Sequence, residues 1–383
     1  MARVAMANET TTPDQDALRQ DQAKRYARIR RRIALASWLL NALLLVLLLA
    51  TGWTVALRNV ADRAAAPWPL ALMVYLLMIG AIFEALSLPL DFYSDYVIEH
   101  RYGLSRMTLG SWLKDILKSM ALGALLGVGL GELFYWALKR HPAAWWLWVA
   151  GIFILFAVVM ALLAPVLLFP LFYKFRPIKN EELSARLRAL ADRAGAPVAT
   201  VFEWKLGEKS SKANAALAGW GATRRIILAD TLLDHYNSDE IETIVAHELG
   251  HQVHHDIPRA IIVESALTLL AMWLVNRTLV WATPQLGFRG LGDFANFPLV
   301  LLIFAVFSLL VLPVVNAFSR WRERLADRYA LKLTRNPAAF INAMRKLAGQ
   351  NLAETEPSRA VEILFHNHPS ISRRIAAAEQ AQS

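Results

Sequence analysis

Six stretches of the chain are apolar over roughly the twenty positions that a helix needs to cross a bilayer. They run approximately from Ile33 to Leu57, Pro69 to Leu90, Ile116 to Leu138, Trp145 to Phe172, Ile261 to Val280 and Pro298 to Phe318. The fourth is broken by Pro165 and Pro170, which lets it tilt, kink or shed a seventh short segment. Between residues 174 and 256 the pattern changes to that of a soluble α+β insert. There, Asn180 can cap a helix carrying Leu183, Leu187 and Leu190. Val198 to Trp204 and Arg225 to Leu228 read as strands, with Ala213 to Gly219 a candidate third joined by a Gly219-Trp220-Gly221 turn. Asn237 and Glu240 form a capping box ahead of an apolar stripe of Ile241, Ile244 and Val245, so a helix starts there. Past the last apolar stretch, a helix from about Ala317 to Leu333 leads into a mostly helical tail.

This pattern predicts a mainly α, polytopic membrane protein with an α+β domain on one face. Residues 1–23, polar and aperiodic, are expected to be a flexible tail. Residues 24–173 form a transmembrane domain of about four spans, and residues 174–383 form a second domain interrupted by spans at about 261–280 and 298–318. Composition agrees, with 56% hydrophobic residues, thirteen Trp and a mean hydropathy of +0.36, too apolar for an ordinary soluble globule. The net charge of +10 is mostly a topology signal. Lys24, Arg25, Arg28, Arg30, Arg31 and Arg32 crowd the near side of the first span, which puts the N-terminus and the inserted domain in the cytoplasm. Basic arms without a nucleic-acid motif exclude a nucleic-acid partner as the reading. The first apolar run lacks a cleavage site and reads as a retained anchor. With no cysteine there is neither a disulfide nor a thiolate ligand.

The chemistry is concentrated in His247-Glu248-Leu249-Gly250-His251. On a helix, two imidazoles one turn apart share a face and can bind one Zn2+, with Glu248 as base for the water at an open position. A catalytic zinc takes a third protein ligand, and no histidine follows at the short spacing of a three-histidine site. Glu323 is the best candidate. Asp327, one turn on, is placed to steady a ligand histidine. His254, His255 and Asp256 directly follow the motif, but His254 lies two turns from His247, too far to share the metal. Glu84 and Glu264 fall inside apolar spans, where they face a watery interior or pair with each other or with Arg277.

Several segments carry a resemblance. Leu88 to Leu104 (LPLDFYSDYVIEHRYGL), Ala164 to Phe175 (APVLLFPLFYKF), Ser210 to Ala215 (SSKANA) with Arg225 to Leu233 (RIILADTLL), the HELGH motif and Asn367-His368-Pro369 together resemble the type I CAAX prenyl proteases. These are the sterile-24-like integral-membrane zinc endopeptidases. The resemblance implies a zincin-like catalytic domain with a small edge-strand hairpin and a large chamber enclosed by the helices. It implies that Asn214 contacts the substrate backbone, that His368 donates a hydrogen bond to the developing oxyanion and that Arg374 clamps Glu323, Asp327 or substrate. The expected partners are the lipid bilayer and a peptide or protein, prenylated or membrane-embedded. The Cys-free, Arg-rich and Ala-rich composition suggests a bacterial inner-membrane protein. Three other readings stay open: a quality-control peptidase without prenyl dependence, an intramembrane site-2-type protease and a non-catalytic membrane scaffold. The second conflicts with the polar residues on both sides of the motif.

Overall fold

A computed structural model describes residues 13–219 and 221–381. The chain opens with helix α1 (Pro13–Ala50), α2 (Trp53–Ala64), α3 (Trp68–Asp91), α4 (Leu109–Arg140) and α5 (Trp145–Leu163). Strand β1 (Phe175–Pro177), α6 (Glu181–Arg193), β2 (Thr200–Trp204), β3 (Ala215–Ala218) and β4 (Arg225–Ala229) follow. The chain ends with α7 (Asp230–His235), α8 (Ser238–Val253), α9 (Asp256–Ala282), α10 (Phe297–Thr334), α11 (Pro337–Gln350), α12 (Arg359–Phe365) and α13 (Ile371–Gln380).

Among the described residues, six helices are long and apolar enough to cross a membrane: 17–50, 68–101, 109–140, 145–172, 256–282 and 294–334. Five of them overlie the expected apolar stretches, and no seventh splits off; the first expected stretch, Ile33 to Leu57, is instead cut at Gly52, where φ is 71°, so that Trp53 to Leu57 open α2. Pro165 is absorbed in a wide π-helical turn at Ala164–Leu168, and the helix resumes over Phe169–Phe172. A similar turn at Phe92–Ile98 continues α3. α2, with twelve residues, is too short to cross. It is anchored instead beside the loop before α10, where Thr54 Oγ1 donates to the Ala295 carbonyl (2.6 Å) and Arg58 pairs with buried Asp293.

Two further expectations need correction. Residues 1–12 of the expected tail lie outside the described residues, but residues 13–23 are the opening turns of α1 and not a tail. Tertiary docking overrides their polarity. Ala23 and Tyr26 are buried, Gln20 Oε1 accepts from Thr355 Oγ1 (2.8 Å), and Arg31 meets Glu354 at 2.7 Å. Second, the last span and the helix expected at Ala317 are one continuous α10 of 38 residues, so the metal-ligand candidates ride on a membrane helix.

The small sheet has the order β1-β2-β4-β3, with β2 and β4 parallel and both outer strands antiparallel. β3 is an edge strand, its Ala215 opposite Leu228 and Ala218 opposite Arg225. The three expected strands are present; β1 was not anticipated. The sheet, α6, α8 and α11 share one core that includes Leu187, Leu190, Ile226, Leu228, Val245, Leu249 and Phe340. A separate core built on Tyr75, Tyr135, Trp145, Met272 and Leu279 joins the membrane helices. α8 crosses α10 closely at Gly250, where a Cβ would lie 2.9 Å from Ala326 Cα. Only glycine lets the motif helix approach the helix bearing Glu323 and Asp327 this tightly.

Candidate metal centre

The phase of α8 is set at its first turn. Asn237 Oδ1 accepts from Glu240 N (2.9 Å) and Glu240 Oε2 from Asn237 N (3.0 Å), the reciprocal capping box that the sequence indicated. Lys346 reaches the same buried carboxylate at 2.7 Å. Ile241, Val245 and Leu249 face the core, and this orientation turns His247 and His251 together toward α10.

Their Nε2 atoms are 3.2 Å apart. Glu323 Oε2 is 3.3 Å from His247 Nε2, and Oε1 is 3.5 Å from His251 Nε2. Metal–nitrogen bonds of about 2.0–2.1 Å with tetrahedral angles require donor separations of about 3.3 Å. The three donors therefore fit a single ion without rearrangement. Glu323 Oε2 is buried and faces imidazole nitrogens of both His247 (3.3 Å) and His368 (2.8 Å), so the carboxylate is aimed at the point where the histidine nitrogens converge. Among the described residues, His247, His251 and Glu323 are the His/Cys/Asp/Glu group close enough to share a metal.

The outer nitrogens of both imidazoles are held by carboxylates. Asp327 Oδ1 lies 2.9 Å from His247 Nδ1, and Asp256 Oδ2 lies 2.7 Å from His251 Nδ1. Each carboxylate orients its ring and fixes the tautomer that leaves Nε2 free to bind. Asp327 is in turn gripped by both arms of Arg374, Nη2 to Oδ1 at 2.6 Å and Nε to Oδ2 at 2.9 Å. Of the trio after the motif, Asp256 alone reaches the centre. His254 Nδ1 donates to the Gly250 carbonyl (2.7 Å), and His255 adopts φ 53° at the junction of α8 and α9. Asp256→Asn is expected to weaken metal affinity by about 10–100-fold, measurable by competition with a chromophoric chelator.

Burial works to lower the pKa of the His247 imidazole, but the hydrogen bonds that the ring donates to the Asp327 and Glu323 carboxylates outweigh it and raise the pKa to about 9. A metal must displace that proton. Uptake is therefore expected to weaken about tenfold for each pH unit below about 9, which a chelator titration at several pH values will read. The Glu248 carboxyl is lifted above its usual range, chiefly by burial, while His247 and His251 pull it back.

His368, half-exposed in the loop between α12 and α13, has Nδ1 2.8 Å from Glu323 Oε2. That loop is tied to α10 through contacts the sequence did not suggest. Asn316 Nδ2 donates to the Leu364 carbonyl (2.8 Å), and Arg320 Nη1 donates to the carbonyls of Glu362 (2.9 Å) and His366 (2.6 Å). The available signal was polar residues on the buried side of a mostly apolar helix, which need partners. Asn214 is exposed at the start of edge strand β3, and the Ala229 amide donates to its carbonyl at 3.0 Å. A cavity of ≈490 Å3 opens from His251, Glu323 and His368 onto Ile154, Ala157, Ile257 and Ile261 of the membrane helices, and Glu264 and Arg322 also line it. Glu264 thus faces this space; among the described residues it pairs with neither Glu84 nor Arg277.

Residues 177–382 match peptidase family M48, and residues 9–174 match a family described as the CAAX prenyl protease N-terminal domain with five membrane helices. The chain belongs to peptidase family M48. In this M48 chain the N-terminal match holds four long helices and the short α2. The "Uncharacterized metalloprotease YhfN" of Bacillus subtilis is 31% identical over 94% of this chain and 85% of its own length. "CAAX prenyl protease 1" of Saccharomyces cerevisiae is 29% identical over 80% of this chain and 71% of its own. The crystal structure of S. mikatae Ste24p superposes with a TM-score of 0.84 over 97% of this chain and 92% of that one, at 23% identity, and shares its fold. The M48 chain is an integral-membrane, multi-pass metalloendopeptidase resembling the CAAX prenyl proteases, with a His/His/Glu cluster spaced as a metal site requires.

Proposed function

We propose that His247, His251 and Glu323 hold one zinc ion and that Glu248 is the general base and acid of peptide-bond hydrolysis. Zinc suits a site of two imidazoles and one carboxylate that leaves a position open. Bound there, the ion supplies positive charge that eases the ionisation of water and polarises the scissile carbonyl. Glu248 follows His247 in α8 and is half-buried. It takes the proton from water and passes it to the leaving amine. Asp327 and Asp256 keep the two ligand imidazoles oriented, and Arg374 keeps Asp327 in place. His368 donates from its ring to the oxyanion once the Glu323 carboxylate is engaged elsewhere. Asn214 and the edge of β3 receive an extended peptide as an added strand.

The substrate we infer is a membrane-associated peptide, met at the bacterial inner membrane with the catalytic domain and N-terminus facing the cytoplasm. The cavity that leads from the metal ligands to apolar walls on two membrane helices carries this reading, and an isoprenoid or an apolar peptide segment suits those walls. The name of the yeast relative favours a prenylated substrate. Glu264 and Arg322 in the same cavity favour an alternative, a quality-control peptidase that accepts unmodified membrane peptides. Two fluorogenic peptides, one ending in a farnesylated CAAX sequence and one matched but unprenylated, separate the two. Cleavage of the farnesylated peptide alone supports prenyl dependence, equal cleavage supports quality control, and cleavage of neither by zinc-loaded protein would return the scaffold reading.

A further inference from the structure

A second cavity, of ≈890 Å3, lies between the C-terminal half of α10 and α13. Its charge is nearly all of one sign. Arg320, Arg324, Arg328 and Lys332 recur at every fourth position and so stack along one side of α10, with Arg335 beyond them and Arg373 opposite on α13. Like charges at this spacing repel and weaken a helix. The acids in the cavity wall do not relieve them. Asp327 is committed to Arg374, and Glu362 receives the Ser370 amide and sits 3.2 Å from Arg373. Arg320 is spent on the backbone carbonyls of the α12 loop. Among the described residues, Arg324, Arg328, Lys332 and Arg335 have no acidic partner.

Some cations elsewhere in the domain are matched, Arg176 with Glu203, Arg186 with Asp239 and Glu242, and Lys346 with Glu240; what sets this row apart is that its unmatched cations are stacked along one wall of a single cavity. An ordinary solvated face would be convex and of mixed sign. This one lines a cavity, with Leu331, Pro337 and Ala377 between the charges, so that exposed cations of one sign face a single concavity and add their fields there. Its near end also lies just past the apolar part of the last span. Arg324 follows the last apolar turn at Phe318 by six residues, about 9 Å of helix rise, close to the depth of the headgroup layer.

We propose that this groove is a phosphate-binding site in which the guanidinium forks of Arg324 and Arg328 take the phosphate oxygens in pairs. Lys332, Arg335 and Arg373 add positive field. The phosphate is the headgroup of an anionic phospholipid entering from the bilayer or a free phosphate ester; both present the same oxygens. The site is separate from the metal ligands but adjoins them, since Asp327 and Arg374 line it and Asp327 also contacts His247 Nδ1.

The test uses the full chain in nanodiscs of phosphatidylcholine with or without phosphatidylglycerol, and in detergent with inorganic pyrophosphate. Native mass spectrometry counts retained lipid and calorimetry follows pyrophosphate. Saturable binding of either probe is expected, weakened about tenfold or more in Arg324→Gln/Arg328→Gln. The equally charge-reduced control Lys179→Gln/Arg345→Gln, on exposed residues elsewhere, is expected to bind as the native chain does. Retention of phosphatidylglycerol alone identifies a lipid site, and binding of pyrophosphate alone identifies a soluble ligand. Equal binding by the groove variant and the control, or no saturable binding of either probe, overturns the proposal. The groove variant's thermal unfolding temperature reports whether it is folded, and single Arg324→Lys, which keeps the charge but not the fork, is expected to weaken binding as well.

Discussion

Glu248→Gln is expected to lower peptide hydrolysis by about 10²–10⁴-fold while the metal content stays that of the native protein. Glutamine has the shape of glutamate but cannot accept a proton, and Glu248 is not part of the group of donors that converge on the metal position. The loss is therefore of proton transfer, worth about 4 kcal/mol at a thousandfold, and not of the site. Initial rates with a fluorogenic peptide, set beside metal analysis of the same sample, measure both halves. A variant that kept rates within about threefold of native would mean that another group is the base.

Glu323→Ala is expected to remove metal and activity together. The substitution takes away the donor that closes the triangle with two nitrogens 3.2 Å apart. It also leaves His247 and His368 without the carboxylate that lies 3.3 and 2.8 Å from them. Its cost should exceed the roughly 10–100-fold that loss of an outer carboxylate brings, so Asp327→Asn provides the internal comparison. If Glu323→Ala kept native affinity and Asp327→Asn lost it, the two carboxylates would have exchanged roles. Both variants must be checked for folding, because Glu323 and Asp327 are buried.

The parts of this site that the sequence revealed are those written in local spacing. The i, i+4 histidines, the capping box three residues apart and the Glu323/Asp327 pair one turn apart each depend on one helix, and all hold in the structure. Long-range partners were harder to read. Asp256 is five residues from His251, yet it reaches that ring only because the chain turns between α8 and α9 at His255. Arg374 lies 47 positions from Asp327, and nothing in its own neighbourhood names that partner. Asn316 and Arg320, which fasten the His368 loop, have partners 42–48 positions away that no local spacing points to. In the fold, the six spans are visible because lipid demands long apolar runs. β1 has three residues, one of them Pro177, and exists only because β2 offers it a pairing edge. The start of α1 was missed for the same reason: polar residues read as a tail until Gln20 finds Thr355 and Ala23 is covered.

The central claim is that one metal, held by His247, His251 and Glu323, performs the hydrolysis. The most direct measurement strips the purified chain with a chelator, returns zinc in sub-stoichiometric steps, and records bound metal and peptide cleavage at each step. The account predicts no cleavage in the stripped protein and a linear rise that levels off at one zinc per chain. Full cleavage by the stripped protein, or one zinc bound per chain by a His247→Ala/His251→Ala variant with native affinity and activity, would contradict it.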